Sequence, residues 1–455
     1  MTNGCAWVAL AALTGLLSSA QACSSTDASP AAAGGAAGGA TADAASEDAT
    51  PEAQDEPAPS IPLKVTVVLS PTRRADPPTP LQGATVALDS PGAARVEVKS
   101  DANGVANFDG IDWSKGALTV TGWKDGTDIL SVTGISSSPQ DLTLTLNELK
   151  QDRVKLSGKA LNMMDSAKHY LLVTEEVAGA YWQQIGPSYN VSVLPGAPFT
   201  LVATEFSQVV GACGRCYSQQ FYGWVAVGNN GVTTPATLDI DFANKISEVH
   251  QVHGTIELPT NPDSVLITSS SYAYLMVNRG AANIGFVTKT FLNGDETAFT
   301  YDAEYVALDG PEPAYTDYMF YAYPTASTNV LSVVRRPGYP EDGIVVSDFL
   351  DPPTMTKPSD PSIAAPLLSR IEWTSAAVNA DAQVQVVLAS TSGRWTVVLR
   401  PGSTSMELPA PPSGVDVATF FGSNIQGMVV LLSAKDPNVL NDMRIAQGIP
   451  FRLSL

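Results

Sequence analysis

The sequence predicts an all-β protein made of tandem small β-sandwich domains. Gly and Pro are abundant, at 36 and 33 of 455 residues, and charged residues make up only 15% of the chain. Short runs alternate apolar and polar positions, as in Leu142-Thr143-Leu144-Thr145-Leu146, which places three leucines on one face of a strand. Apolar spacing near 3.6 residues is not sustained over any long segment, so helix is expected only in short pieces such as residues 438–444.

The N-terminus has the pattern of an export signal. An uncharged apolar run over residues 6–17 leads to Ala20-Gln21-Ala22 and then Cys23. Such a run before an Ala-x-Ala site is typical of a secretory signal peptide, and it is shorter than the roughly 20 apolar residues that span a bilayer. We therefore expect a signal peptide over residues 1–22.

The same residues resemble the lipobox of bacterial lipoproteins, whose cysteine receives diacylglycerol and becomes the new N-terminus. The resemblance implies that Cys23 is lipidated and that the protein lies in the cell envelope, as an outer-membrane lipoprotein. Ala20 stands where the lipobox usually has Leu, and the first basic residue is Lys64. Ordinary secretion, with Cys23 as an unlipidated end, is therefore the alternative.

The next segment, residues 23–61, is expected to be a disordered tether. Residues 24–60 contain seven acids and one Gln among Ala, Gly, Ser, Thr and Pro, with no basic or aromatic residue. This composition buries too little apolar surface to offset the entropy of ordering the chain. A flexible chain of this length has an r.m.s. span of roughly 30–35 Å.

Terminal strands followed by polar or Pro-rich breaks divide the remainder into four units of roughly 85–110 residues, a normal domain size. We expect β-sandwiches over residues 62–149, 150–245, 246–350 and 363–455. Residues 351–362 are expected to be a linker, because four prolines in this segment oppose regular structure.

The first of these units carries a family resemblance. Leu81-Gln82-Gly83-Ala84-Thr85-Val86-Ala87-Leu88 is followed by Lys99-Ser100-Asp101-Ala102-Asn103-Gly104-Val105-Ala106-Asn107-Phe108. These segments resemble the carboxypeptidase regulatory-like, or prealbumin-like, sandwich, with Ser100 in place of the usual Thr. The resemblance implies a non-catalytic binding or structural module.

The residues Asp101-Ala102-Asn103-Gly104 also predict a hairpin turn on their own, since Asp and Asn bond to nearby backbone and Gly accepts positive φ. Calcium binding by Asp101, Asn103 and Asp109 is a weaker alternative, because their spacing is not that of an EF-hand loop.

Two cysteines remain once Cys5 leaves with the signal and Cys23 carries the lipid. Cys213 and Cys216 are the first and last residues of a four-residue segment. The ends of a four-residue turn lie within about 7 Å, which suits a disulfide in an exported protein. A redox pair or a zinc site is the alternative, and zinc would need ligands from among the three histidines.

The histidines do not form an evident site. His250 and His253 flank two residues in a segment that reads as strand, where residues three apart point to opposite faces. We expect two ordinary strand histidines, and the sequence predicts neither a metal nor a cofactor.

The best candidate for a binding surface is an aromatic strand over residues 315–324. It places Tyr318 and Phe320 on one face and Met319, Tyr321 and Tyr323 on the other. One face must enter the core. The other, if exposed, offers rings that can stack on sugars or on a protein partner.

The charge of the chain excludes some partners. Lys and Arg number 25 against 45 Asp and Glu, a net charge of −20. Nucleic acid and anionic headgroups would be repelled by such a surface, so membrane association must come from the lipid. The oligomeric state is left open.

No catalytic motif is evident: the sequence has no G-x-S-x-G, H-E-x-x-H, Walker or Rossmann pattern. The acidic pair Asp239 and Asp241 would share one strand face and suits solvated surface. The sequence therefore predicts a lipid-anchored structural or binding module, with a carbohydrate or a protein as ligand. A secreted accessory or enzymatic protein acting on envelope carbohydrate is the alternative, which carboxylates or histidines converging in one cleft would favour.

Overall fold

The computed structural model describes residues 62–71, 77–136, 141–149, 152–175, 181–210, 217–245, 250–257, 272–279, 282–292, 298–305, 316–323, 330–367, 369–376, 379–422, 424–434, 443–448 and 451–454. These residues form strands almost throughout, with one short α-helix and two short 3₁₀ turns in the described part of the chain. The predicted all-β class is confirmed.

The first unit, residues 62–149, is a two-sheet sandwich. Its strands are β1 (Leu63–Leu69), β2 (Thr79–Pro80), β3 (Thr85–Asp89), β4 (Val96–Lys99), β5 (Val105–Phe108), β6 (Leu118–Trp123), β7 (Ile129–Ile135) and β8 (Asp141–Leu146). One sheet has the order β2-β1-β5 with β8 parallel to β1, and the other joins β4, β3, β6 and β7. Alternate residues of β1, namely Leu63, Val65 and Val67, are completely buried between the two sheets.

The second unit, residues 152–245, is a sandwich with a core of its own. Its strands are β9 (Val154–Leu161), β10 (Lys168–Glu175), β11 (Tyr181–Gln184), β12 (Ser188–Val193), β13 (Phe199–Val210), β14 (Tyr217–Asn229), β15 (Ala236–Thr237) and β16 (Ile240–Asp241). One sheet has the order β11-β10-β13-β14, and β9 pairs with β12, β15 and β16. The buried cluster runs from Leu156 to Phe242.

The third unit, residues 250–350, is a long antiparallel sheet with one parallel edge strand. Its strands are β17 (His250–Glu257), β18 (Tyr272–Arg279), β19 (Ala282–Leu292), β20 (Ala298–Tyr305), β21 (Thr316–Tyr323), β22 (Leu331–Pro337) and β23 (Ile344–Val346). Pairings give the order β23-β17-β20-β19-β18-β21-β22. The aromatic strand β21 therefore lies inside the sheet, between β18 and β22.

The last unit packs two sheets around a core rich in aromatic residues. Its elements are β24 (Thr354–Lys357), β25 (Ala365–Pro366), β26 (Ile371–Thr374), β27 (Gln383–Ala389), β28 (Arg394–Leu399), β29 (Ser405–Met406), α1 (Val417–Phe421), β30 (Ile425–Ala434), β31 (Met443–Gln447) and β32 (Phe451–Ser454). The small sheet β24-β26-β29 faces a sheet built on β28, β27 and β30. Trp373, Trp395, Phe421 and Phe451 are almost completely buried between them.

The expected linker over residues 351–362 is wrong. Thr354–Lys357 pairs antiparallel with β26, and Leu350 belongs to the core of the last unit. Asp351 is buried: its backbone N–H donates to Asn379 Oδ1 (3.1 Å), and Asn379 Nδ2 donates to the Asp351 carbonyl (2.9 Å). The prolines flank the strand rather than interrupt it, so they do not exclude pairing. The last unit therefore begins near residue 350.

The expectation of four separate units in series also needs correction. Strand β7 of the first unit pairs in parallel with β28 of the last, and β22 of the third pairs antiparallel with β31. A single sheet thus continues through the first, third and last units. Pairing of this kind satisfies backbone groups that an edge strand would otherwise expose. No helix among the described residues is long and apolar enough to cross a membrane.

A groove at the junction of the first and last units

The contact between β7 and β28, called the junction here, joins segments more than 250 residues apart in sequence. Ile129 to Val132 pair with Trp395 to Val398. The indole Nε1 of Trp395 donates to Ser131 Oγ (2.9 Å), which lies 2.8 Å from Thr121 Oγ1. All three side chains are buried, so a chain of neutral hydrogen bonds connects the two units where water is excluded.

The hydrophobic cores of the two units interleave at the junction. Ile129 of the first unit packs in the core of the last unit, and Val398 of the last unit packs in the core of the first. Neither unit can therefore leave the other without exposing apolar side chains to water.

A pair of opposite charges also lies at the junction, where Asp128 is buried and Arg394 is partly buried. The carboxylate of Asp128 accepts hydrogen bonds from the backbone N–H (2.7 Å) and the Nδ2 (2.8 Å) of Asn147. Burial raises the pKa of Asp128, while the nearby Arg394 guanidinium and these hydrogen bonds oppose the rise. Burial likewise lowers the pKa of Arg394, and Asp128 counteracts it. The two charges, one from each unit, are thus set to compensate each other.

A segment of the last unit, residues 405–414, lies across the first unit and is called the strap. Arg95 Nη1 donates to the Ala410 carbonyl (2.9 Å), and the Ser413 N–H donates to Glu97 Oε1 (2.9 Å). Gly414 approaches the ring of Trp123. These contacts hold the strap on the sheet of the first unit.

A groove of about 400 Å³ lies between the strap and the continuous sheet. Its floor takes one residue from each of three neighbouring strands: Asp89 of β3 pairs with Thr119 of β6, and Thr119 pairs with Thr133 of β7. Directly paired residues share one face of a sheet, so these three polar side chains form a row. Leu399 of β28 continues the lining of the groove on the other side of the junction. The strap forms the wall, with Met406, Leu408 and Pro409 among its lining residues.

The carboxylate of Asp89 is incompletely paired in this groove. Its Oδ1 lies 3.7 Å from Arg95 Nε, and its buried Oδ2 has no hydrogen-bond partner among the described residues. Burial raises the pKa of Asp89, and Arg95 partly offsets the rise. Glu407, at the rim, is 73% exposed and lies 3.5 Å from Arg370 Nη1. The groove is therefore acidic and hydroxyl-lined on its floor, and its wall carries apolar side chains beside the polar Ser405 and Glu407.

One face of the aromatic strand is buried and therefore is not a binding surface. The side chains of Tyr318 and Phe320 are 7% and 0% exposed and meet edge to face. They are core residues, because the face of β21 that carries them packs inside the molecule. Tyr321 and Tyr323 lie on the same strand, and their side chains fall outside the described part of the structure.

Cys23, Cys213 and Cys216 also lie outside the described residues.

The hairpin turn of the first unit forms as the sequence predicts. Asp101 Oδ1 accepts from the backbone N–H groups of Asn103 (2.9 Å) and Val105 (2.8 Å), and Gly104 has φ of +76°. A carboxylate used in this way stabilises the turn, which argues against the calcium alternative. Within the described part of the chain, no three His, Cys, Asp or Glu side chains come together as a metal site.

His250 and His253 both lie on β17, as expected of strand residues. The His250 ring stacks on Tyr305 at 5.3 Å, and Tyr305 stacks on Tyr339 at 5.2 Å. His253 Nδ1 lies 3.1 Å from Asp342 Oδ1. The two histidines thus have different neighbours and do not converge.

The acidic pair Asp239 and Asp241 has structural roles. Asp239 Oδ1 accepts from the Lys159 N–H (2.8 Å), and Asp241 Oδ1 accepts from Asn162 Nδ2 (2.6 Å) and from the Ala243 N–H (2.9 Å). Asp241 caps the 3₁₀ turn Phe242–Asn244, and Asp239 ties its own segment to β9, so the geometry gives no support for a catalytic pair.

Sequence reasoning missed a buried charged cluster in the second unit. Glu205 is completely buried and accepts from the Met164 N–H (2.6 Å), His169 Nε2 (2.8 Å) and Lys245 Nζ (2.5 Å). Burial alone would raise the pKa of Glu205, but the hydrogen bonds from Lys245, Met164 and His169 lower it below its ordinary value. Gly223 lies opposite Glu205 and leaves room for Lys245, since a Cβ there would lie 2.6 Å from the lysine side chain.

One feature of the sequence indicates this cluster. Glu205 is the one charged residue in the run Phe199-Thr200-Leu201-Val202-Ala203-Thr204-Glu205-Phe206, and an acid in such a run must find partners if it is buried. Its partners come from residues about 40 positions away on either side, which the sequence does not connect to it.

Comparison with known proteins assigns no family. No family model matches the chain, and no curated protein matches it. Solved structures overlap weakly: the Bacillus anthracis TIE protein has 9% identity and a TM-score of 0.18 over 63% of this chain and 49% of that chain. The shaft pilin SpaA from Lactobacillus rhamnosus GG has 7% identity and a TM-score of 0.16, over 40% of this chain and 98% of the pilin.

A leucine-rich repeat protein from Bacteroides thetaiotaomicron has 8% identity and a TM-score of 0.14, over 40% of this chain and 26% of that one. The chain thus spans about half the length of the TIE protein. At these scores the overlaps assign neither fold nor function, and the all-β class follows from the strands themselves.

Proposed function

We propose that the protein is a lipid-anchored module of the cell envelope that binds a ligand and is not an enzyme. The observation that carries this proposal is the junction, where buried hydrogen bonds and interleaved cores join the first and last units around a shared groove. A site shared by two interlocked units is well suited to rigid presentation of a ligand surface.

The anchoring is supported by the sequence of the N-terminus. Residues 1–22 direct export, Cys23 carries the lipid, and residues 24–61 tether the folded body at the outer membrane. The first unit acts as a carboxypeptidase regulatory-like sandwich, a reading supported by its two-sheet arrangement and its Asp101 to Gly104 turn.

The enzymatic alternative has one observation in its favour, because Asp89 and Glu407 line the same groove. Glycoside hydrolysis needs one carboxyl that donates a proton and a second one placed opposite it. Burial raises the pKa of Asp89, as a donor requires. Glu407, however, is 73% exposed and its carboxylate lies 3.5 Å from the Arg370 guanidinium, as in a solvated surface ion pair. Binding therefore fits the groove better than catalysis.

The anchor is tested by detergent-phase partitioning of cells that produce the protein. The unaltered protein should enter the detergent phase, and mass spectrometry should find diacylglycerol on an N-terminal Cys23. Cys23→Ser should move the protein to the aqueous phase, because the thiol that carries the lipid is gone. Cys5→Ser is the matched control, since Cys5 leaves with the signal peptide. Unchanged partitioning of Cys23→Ser would overturn the anchor.

A disulfide between Cys213 and Cys216 is part of the same proposal, since it suits an exported protein. Alkylation of the unreduced mature protein should leave both thiols unmodified, with no bound zinc. Readily alkylated thiols or stoichiometric zinc would contradict the disulfide.

A further inference from the structure

The groove at the junction has two chemically different sides. Asp89, Thr119 and Thr133 place a carboxylate and two hydroxyls in one row across three neighbouring strands. Adjacent strands are about 4.8 Å apart, so the row offers polar groups at regular short intervals. The strap contributes the apolar Leu408 and Pro409, with the polar Ser405 and Glu407 beside them. A matching ligand must carry closely spaced hydrogen-bonding groups on one side and apolar C–H groups on the other.

The polar groups of the floor retain capacity for a ligand. The Asp89 side chain is 34% exposed and lines the groove, although its Oδ2 atom is closed to solvent. Thr133 Oγ1 donates to the Val398 carbonyl at 3.3 Å, which leaves its lone pairs as acceptors. A carboxylate that keeps an exposed side can accept a hydrogen bond from a ligand there. Hydroxyl groups are well suited to this floor because each can donate to the carboxylate and accept from a threonine.

We propose that this groove binds a carbohydrate chain, whose ring hydroxyls bond to Asp89, Thr119 and Thr133 and whose C–H face packs on the strap. The inference rests on the proposed binding function and names its ligand class. The floor spans β3, β6, β7 and β28, so the site is complete only when the first and last units are paired at the junction. Neutral sugars suit the groove better than anionic ones, because Asp89 and Glu407 repel negative charge.

The experiment is isothermal titration of the full mature chain, made soluble by Cys23→Ser. The probes are cellotetraose, maltotetraose, the β-1,4-linked tetramer of N-acetylglucosamine, and tetralysine as a cationic peptide. At least one sugar should bind with a dissociation constant of about 1 mM or lower. Asp89→Asn and Thr119→Val should each weaken that sugar about tenfold or more, since each removes one hydrogen-bonding group from the floor.

Matched controls lie on β8 of the same unit, outside the groove. Asp141→Asn and Thr143→Val make the same chemical changes at exposed positions and should leave sugar affinity unchanged. Circular dichroism melting of each variant verifies that it is folded. Titration of a variant that melts like the parent then reports on binding alone.

Three results would overturn the proposal: no sugar binds, the Asp89 and Thr119 variants bind as well as the parent, or tetralysine binds in place of the sugars. Release of reducing ends from a bound sugar would contradict the proposed binding function, because it would show that the groove hydrolyses the sugar. Detergent partitioning is independent of all these titrations, so failure of the carbohydrate proposal and failure of the lipid anchor are distinguishable.

Discussion

The buried hydrogen bond across the junction can be measured by a double-mutant cycle. Ser131→Ala leaves the Trp395 indole N–H buried without its acceptor, which should cost about 1–3 kcal/mol. Trp395→Phe removes the N–H and part of the ring, so it should cost about 1–3 kcal/mol through lost packing and the lost bond. Ser131 keeps Thr121 as a partner in that variant.

The double variant should lose less free energy of unfolding than the sum of the losses in the two single variants. When Trp395 is already Phe, Ser131→Ala leaves no buried N–H without an acceptor, so it lowers the free energy of unfolding much less. We expect a coupling free energy of about 1–2 kcal/mol, which exceeds the ~0.5 kcal/mol scatter of independent sites.

The assay is hydrogen exchange of peptides that cover β7 and β28 in the full chain, which gives a local opening free energy for each strand. The control cycle combines Ser131→Ala with Trp373→Phe. Trp373 is buried in the same core, but its Nε1 has no hydrogen-bond partner among the described residues. That cycle should be additive. An additive Ser131 and Trp395 cycle would refute the hydrogen bond between units.

Two further predictions concern the second unit. Glu205→Gln should lower its stability by about 1–3 kcal/mol at neutral pH, because Lys245 loses a buried charged partner; exposed Glu257→Gln is the control. The folded pKa of Glu205 is depressed, so this stabilisation is present above the unfolded value of about 4.3 and is lost as pH falls through the folded pKa. Urea midpoints at pH 7 and pH 3 should therefore differ less in the variant, and an equal pH dependence would contradict the cluster. Gly158→Ala should cost about 1–3 kcal/mol, because its Cβ would lie 1.9 Å from the Leu238 carbonyl oxygen, whereas Gly186→Ala, with open space around it, should melt like the parent. Equal melting of both glycine variants would contradict the close approach at Gly158.

Local features were predictable because neighbouring residues determine them. The alternation in Leu142 to Leu146 marks β8, and Asp101 with Gly104 specifies the turn before β5 through side-chain hydrogen bonds and a positive φ. These elements need no information from distant parts of the chain.

The junction was not predictable from the sequence. Nothing in the composition of Ile129 to Val132 distinguishes a partner strand within the unit from one 266 positions away. The prolines near residue 352 suggested a linker because they exclude central strand positions, but their flanking places leave Thr354–Lys357 free to pair. The groove depends on both of these long-range arrangements, so its residues could not be grouped in advance.

The sharing of one sheet by the first and last units can be tested by a cross-link between β7 and β28. Ser131 and Val397 are paired across β7 and β28, where strands lie about 4.8 Å apart, within the usual reach of a disulfide. After mild oxidation of the Ser131→Cys, Val397→Cys double variant, one peptide pair should be linked between these positions within the monomer. Recovery of the two peptides only in unlinked form would contradict it.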